Sequence, residues 1–393
     1  MNDRRDQRAT LGVDRRGFLK AIFLSGISAL VAACRRSELG PSPTPAAPTI
    51  TAVASPRSSP TTSVSPRTPT VVPDAVAAIA QASTYDLPVL RRALEEMLGN
   101  IGGWRDKVTT GARVGIKVNL TGGTWWDEAD KPPATEMFVT HPAVVGALCE
   151  ILRDMGARDL VIMDGLGDEA SFQKWGYADV ASPLGAQLLD LCRPDPFEDF
   201  STFPVGSGAY IYDQFGLHAS LNELDAFISV GKMKCHSTTG VTLSLKNLIG
   251  LAPIRLYRLD EQDNNRSAFH GSAQMDSRLP RVIIDLCRAR PIDLALIDGV
   301  VTAEGGAGPW DAGLSQVRPG LLVAGRDPVA VDAVATTLMG FDPEAPGGTS
   351  PFLHGDNHLA LAHDSGLGTH VLREVTIAGP PIQGLVHAFK PAG

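Results

Sequence analysis

The stretch "DAFISVGKMKCHSTTGVTLSLKNLIG" (residues 225–250) carries the reading of the fold. Residues 226–230, "AFISV", form a short, largely apolar run, which suits a strand buried on both faces. "GKMKCHSTTG" leaves its carboxyl end, and "TLSLKNLIG" follows as a short helix that Thr238, Thr239 or Thr242 can cap. The charge of this loop is unusual. The chain has nine lysines against twenty-six arginines, yet Lys232, Lys234 and Lys246 fall within fifteen positions, together with His236. Lys232, Lys234 and His236 occupy alternate positions. While the chain stays extended they face one side, and Met233 and Cys235 face the other.

The neighbouring segments repeat the theme. "RVGIKVNL" (113–120), "LVIMDG" (160–165), "IDLALIDG" (292–299) and "GLLVAG" (320–325) read as strands, the second and third ending in Asp-Gly. Between them lie helical patterns. In "THPAVVGALCEILRDMGA" (140–157), Thr140 can cap, Pro142 suits the first turn and Gly156 terminates. "LPRVIIDLCRAR" (279–290) is helical, and in "RDPVAVDAVATTLMG" (326–340) Asp327 caps a helix that Pro328 begins. Nearer the start, "VAAIAQA" and "LPVLRRALEEMLGN" both read as helices. Buried strands alternating with amphipathic helices predict an α/β fold, a mostly parallel sheet with helices on both faces. Ligands of such sheets gather at the carboxyl ends of the strands.

Three segments are expected along the chain: 1–34, 35–73 and a globular α/β domain over 74–393. The first holds Arg15-Arg16 followed by Phe18, Leu19 and Lys20, then an apolar run to Ala33 that is too short to span a bilayer. It resembles a twin-arginine export signal, with Asp14 where Ser or Thr is usual. Val31-Ala32-Ala33-Cys34 resembles a bacterial lipobox, with Cys34 as the lipidated residue. The second segment is rich in Pro, Ser, Thr and Ala, a composition that reads as a disordered tether. These features predict an exported, extracytoplasmic protein of the bacterial envelope. Its partners would be the twin-arginine machinery and, through Cys34, a membrane.

The formal charge is −8, and the body after residue 34 holds 29 basic and 40 acidic side chains, a net of −11. An acidic body argues against nucleic acid as a partner. It is compatible with a small basic pocket, and the lysine loop provides one. Ammonium groups, an imidazole and a helix start form a receptor for a carboxylate or phosphate. Lysine suits this role because its compact charge approaches an oxygen closely and its pKa moves when it is buried or crowded. The plainer reading is a solvated basic loop.

"KMKCHSTTGVTLSLKNLIG", together with "GIKVNL", "THPAVV", "ALIDGVVTAEGGAGP" and "GRDPVAVDAVATTLMG", resembles the family called domain of unknown function 362, over about residues 110–342. Cys235 departs from it, since the family more often has threonine there. Many relatives carry ferredoxin-type cysteine motifs. This sequence has no iron–sulfur cluster motif, so that role is not implied. The resemblance outlines one site. Lys234, His236 and Lys246 are its candidates for catalysis, and Lys117, Asn119, Lys232, Asn247, His270 and Asp298 for ligand binding. His141, Asp164, Glu304 and Asp327 are also matched, each with a plainer role as helix start, turn or cap.

The cofactor is left open, with a divalent metal as one reading. His236, His270, Asp164 and Asp298 offer imidazole and carboxylate ligands, although without compact metal spacing. "HGDNHLALAHDSG" can place His354 and His358 on one helical face, with Asp356 or Asp364 nearby. Trp125 and Trp126 can wall a pocket or pack in the core. Cys149, Cys192 and Cys287 read as buried thiols; Cys235, beside the lysines, reads as a space filler or an activated nucleophile. The functional expectation is a protein that binds a small anion and transforms it by proton transfer or metal-assisted chemistry. The alternative is a non-catalytic solute-binding or redox-accessory lipoprotein.

Overall fold

The computed structural model describes residues 75–126, 131–273 and 275–393. The expected export signal, the expected lipobox with Cys34 and the Pro-rich segment read as a tether lie outside the described residues. The first strands are β1 (Val76–Gln81), β2 (Arg113–Lys117), β3 (Asp159–Asp164) and β4 (Gln187–Asp190). A separate antiparallel ribbon pairs β5 (Ser201–Pro204) with β6 (Gln214–Leu217). Then come β7 (Ala226–His236) and β8 (Gly240–Val241), followed by β9 (Leu294–Glu304), β10 (Ser315–Val317), β11 (Leu321–Gly325) and β12 (Thr376–Ala378).

The main sheet runs β12-β1-β11-β9-β7-β2-β3-β4, with β8 and β10 added as short antiparallel partners. Along that path β9, β7, β2, β3 and β4 are parallel to one another, and β11 alone is reversed. The mostly parallel α/β fold is therefore present. Helices α1 (Leu87–Asn100) and α2 (Pro142–Asp154) cover one face. They bury Leu90, Leu94, Val144 and Leu148 against Ile116, Ile228 and Val230. The other face carries α3 (Leu243–Lys246), α4 (Arg278–Ala289), α5 (Pro328–Leu338) and α6 (His358–Asp364). Val282, Leu286, Val331 and Val334 pack there with Phe227, Met233 and Ile297. Burying one such side chain stabilises by about 1.5–3 kcal/mol. Two filled faces also fix the strand register, because a slip of one residue would swap them.

Several local expectations are corrected. "VAAIAQ" is strand β1, not a helix: Ala77, Ala78, Ile79 and Ala80 are all buried between β11 and β12. Five apolar residues in a row have no period to read, and tertiary pairing overrides the helix preference of alanine. β9 does not end at Asp298-Gly299 but continues, fully buried, to Glu304. β7 stays extended through His236. Helix α2 is capped by His141, whose Nδ1 accepts from Ala143 N, while the Thr140 hydroxyl instead accepts from Asn119 N and donates to Val230 O of β7. Helix α6 begins at His358, so His354 lies off it; His358 is buried and Asp356 pairs with Arg281. Among the described residues no helix is long and apolar enough to cross a membrane.

Candidate functional site

The lysines of the opening stretch divide into two groups. Lys232 lies opposite Asp298 within the sheet. Its Nζ donates to Asp298 Oδ2 at 2.8 Å, Thr135 O at 2.9 Å and Tyr85 Oη at 3.1 Å. Burial lowers its pKa and Asp298 opposes the shift. Tyr85 Oη also reaches Asp298 Oδ1 and stacks on His141, whose own pKa burial depresses to about 4. Lys234 is held by Phe138 O at 2.8 Å and Ala307 O at 2.7 Å. Its pKa is driven well down, by burial first and then by Lys246 and Lys232. Lys232, Lys234 and Asp298 thus brace loops against β7, each held by partners within the fold. They are buried because β7 and β9 run on past the point where a loop was expected.

A cavity of about 650 Å³ opens where β2, β3 and β7 end. It gathers Lys117, Asn119, Asp164, His236, Lys246, Asn247 and His270 from the expected set, and adds Arg266 with Trp125, Trp126 and Trp310. Lys117 and Asp164 form a buried pair at 2.7 Å. Lys117 Nζ also donates to Val118 O and Asn247 Oδ1, while Asp164 accepts from Leu120 N and Gly165 N. Gly250 makes the pair possible, since a Cβ there would lie 2.2 Å from Asp164 Oδ1 and 2.6 Å from Lys117 Nζ. Asn247 donates to Lys117 O and Ser229 Oγ and so ties α3 to the sheet.

Helix α3 carries Lys246 and is only one turn long, so its position depends on outside support. No threonine side chain caps it. Asp332 of α5 instead accepts from Ser244 N, Ser244 Oγ and Leu245 N. Burial raises the Asp332 carboxyl to about 7. Sequence spacing could not show this cap, because it comes from a helix some ninety positions later.

Lys246 is part-buried and lines the cavity. Among the described residues it has no hydrogen bond and no ion pair. Burial, then the charges of Arg266 and Lys117, bring its pKa down to about 8. Arg266 is aimed by Ala252 O, Gly165 O at 3.1 Å and Cys192 Sγ, with no carboxylate partner among the described residues. Lys117 and Asp164 cancel, which leaves Lys246 and Arg266 as excess positive charge in an acidic protein.

The histidines divide donor and acceptor roles. His236 Nδ1 accepts from Thr238 N at 3.2 Å and Thr239 N at 3.3 Å, so its neutral ring carries the proton on Nε2. Burial, then Lys246 and Lys234, hold its pKa well below the usual value. His270 Nδ1 lies 3.1 Å from Asp276 Oδ2. With that proton donated to the carboxylate, Nε2 is left as an acceptor. The His270 pKa is lowered by burial and Lys246, against the pull of Asp276. Asp276 also accepts from Arg278 N and Leu279 N at the start of α4. Asn119 adds a buried Oδ1 with no hydrogen-bond partner.

Arg266 and Asp276 escaped the sequence reading. Asp276 had a signal, an acidic residue just before a helical run; Arg266, in a polar loop, had none. Glu304 is bound to Lys390 and Ser315, and Asp327 caps α5 as read. The four residues considered for a metal are not gathered as ligands. Among the described residues no group of three or more His, Cys, Asp or Glu could hold a metal ion. Cys235 faces away from the lysines, its Sγ donates to Lys390 O, and burial pushes its thiol up to about 12. That environment contradicts an activated thiolate. Cys149 and Cys287 are buried, and Cys192 is part-buried beside Arg266.

The family described as Domain of unknown function (DUF362) matches residues 114–337, which include both lysine groups and the strands that carry them. The Thylakoid-associated protein sll1697 of Synechocystis sp. is 26% identical over 286 residues, covering 72% of this chain and 79% of its own length.

Proposed function

The chain belongs to the DUF362 family, and from the cavity we propose that it binds a small carboxylate or phosphate between Lys246 and Arg266 and moves a proton there. One observation carries this reading: Lys246 faces the cavity with its donors unfilled, where Lys117 and Lys232 have theirs filled. Lys246, Arg266 and His236 all line the cavity and can serve as donors for an anionic oxygen. His270 Nε2, oriented by Asp276, accepts a proton from the group beside that oxygen. A non-catalytic solute-binding protein would use the same donors. The Asp276–His270 pair favours proton transfer, because simple capture of an anion needs no oriented base.

Titration of the full chain with inorganic phosphate by calorimetry tests the anion site. A charge-assisted hydrogen bond contributes roughly 1.5–3 kcal/mol, so Lys246→Met should weaken binding by about tenfold or more. No binding by the native protein, or equal binding by the variant, would remove the proposal.

Export through the twin-arginine route and anchoring at Cys34 belong to the same proposal. They are supported by the paired arginines, the lipobox and the Pro-rich spacer, and the Synechocystis relative is named for its association with thylakoids. Arg15→Lys with Arg16→Lys should leave unprocessed protein in the cytoplasm. Normal processing of that variant would overturn the export reading.

A further inference from the structure

The mouth of the cavity is more apolar than an anion site requires. Trp125, Trp126 and Trp310 all line it, and they are 60%, 37% and 42% exposed. Exposing one indole is unremarkable, but three around one opening mark a binding surface. Two of them lie directly on glycine backbone. A Cβ on Gly123 would come within 2.2 Å of the Trp125 ring, and one on Gly308 within 2.3 Å of the Trp310 ring. Trp126 meets Trp310 edge-on at 5.7 Å and 65°, and Phe138 backs Trp310 at 6.1 Å. The rings are therefore held against the loops that carry them, and rigid aromatic surface binds at little entropic cost.

Farther in stand the part-buried Lys246 and Arg266 and the Asn119 side chain, 8% exposed, whose Oδ1 has no partner. A buried acceptor without a donor is a costly feature unless a ligand supplies one. A volume of about 650 Å³ also leaves room for far more than a carboxylate or phosphate group. Resting on the anion reading above, we infer that the ligand is a planar-ring anion. Its carboxylate or phosphate lies toward Lys246 and Arg266, a hydroxyl or N–H meets Asn119 Oδ1, and its ring lies against the tryptophan wall. Edge-and-face aromatic contacts select a flat π system over a saturated ring of the same bulk.

Calorimetry on the full chain with three probes at one pH tests this: inorganic phosphate, cyclohexyl phosphate and phenyl phosphate. Phenyl phosphate should bind at least tenfold more tightly than phosphate and at least threefold more tightly than cyclohexyl phosphate. If phosphate binds and phenyl phosphate is no tighter, the ring inference falls while the anion reading stands. Cyclohexyl phosphate equal to phenyl phosphate would also overturn it, because the wall would then read bulk. If no probe binds, both readings fall. Trp310→Ala should bring the phenyl-to-phosphate affinity ratio toward one, and a ratio kept at its native value would place the ring elsewhere. Should that variant fold poorly, the three-probe comparison on the native protein still decides.

Discussion

Lys232 and Lys246 belong to one short motif, yet they have opposite settings. Lys232 is fully buried and each of its three donors is filled, one of them by the Asp298 carboxylate. Lys246 is more open and has none filled among the described residues. Burial lowers both pKa values, so burial alone does not separate them. Hydrogen-bond satisfaction does. A satisfied buried ion pair recovers part of its desolvation cost and fixes geometry, whereas an unfilled ammonium beside a second cation keeps a standing attraction for an anion. The difference between bracing and binding lies in the partners, and partners come from distant parts of the chain.

The strongest way to break this comparison is Asp298→Ala. It strands the Lys232 ammonium and removes acceptors for Tyr85 Oη and His141 N. Losing one partner of a buried pair costs about 3–5 kcal/mol. The expected result is a large fall in the denaturant midpoint. A midpoint within the error of the native value would show that the Lys232 group is not structural. Lys246→Met should do the reverse, weakening phosphate binding while leaving the denaturant midpoint at neutral pH unchanged or higher, because it removes a part-buried ammonium that has no partner among the described residues. If Lys246→Met proved as destabilising as Asp298→Ala, the division between the two lysines would collapse.

The motif that marked this region was legible because of its composition, and its strand was legible because of its apolar run. The alternation also separated Lys232 and Lys234, which reach Thr135 O, Phe138 O and Ala307 O, from Met233 and Cys235 in the core beneath α3 to α6. What could not be read was where the strand stops. Lysines at positions 232 and 234 looked like the start of a loop, because burying a charge in a sheet is costly without a partner. Asp298, Phe138 O and Ala307 O supply those partners from sequence-distant segments. The same limit hid Asp332 as the cap of α3 and Arg266 as the second cation. Strands and helices follow local periodicity, whereas a site at a sheet edge is assembled from loops that have none.

A smaller effect sharpens the comparison through pH. The Lys246 pKa is brought from the ordinary 10.5 to about 8, while His236 and His270 are held below the usual imidazole value. Between pH 7 and pH 9.5 both histidines stay neutral, and Lys246 passes through its pKa of about 8 and loses its charge. Sulfate keeps a constant charge over that range, so its affinity reports the protein. It should be nearly flat to about pH 7.5 and then fall, by at most about tenfold per pH unit, above pH 8. Stability has the opposite sign. Between about 8 and 10.5 the unfolded chain holds the Lys246 proton that the folded chain has lost, so this group's contribution rises with pH. Lys117, Lys232 and Lys234 are lowered as well and act in the same direction. The Lys246 share is therefore read as the difference between native and Lys246→Met stability curves, with the variant rising less steeply above pH 8. Sulfate affinity unchanged from pH 7 to pH 9.5 would mean that some other group carries the anion, and Lys246 would then be no closer to function than Lys232.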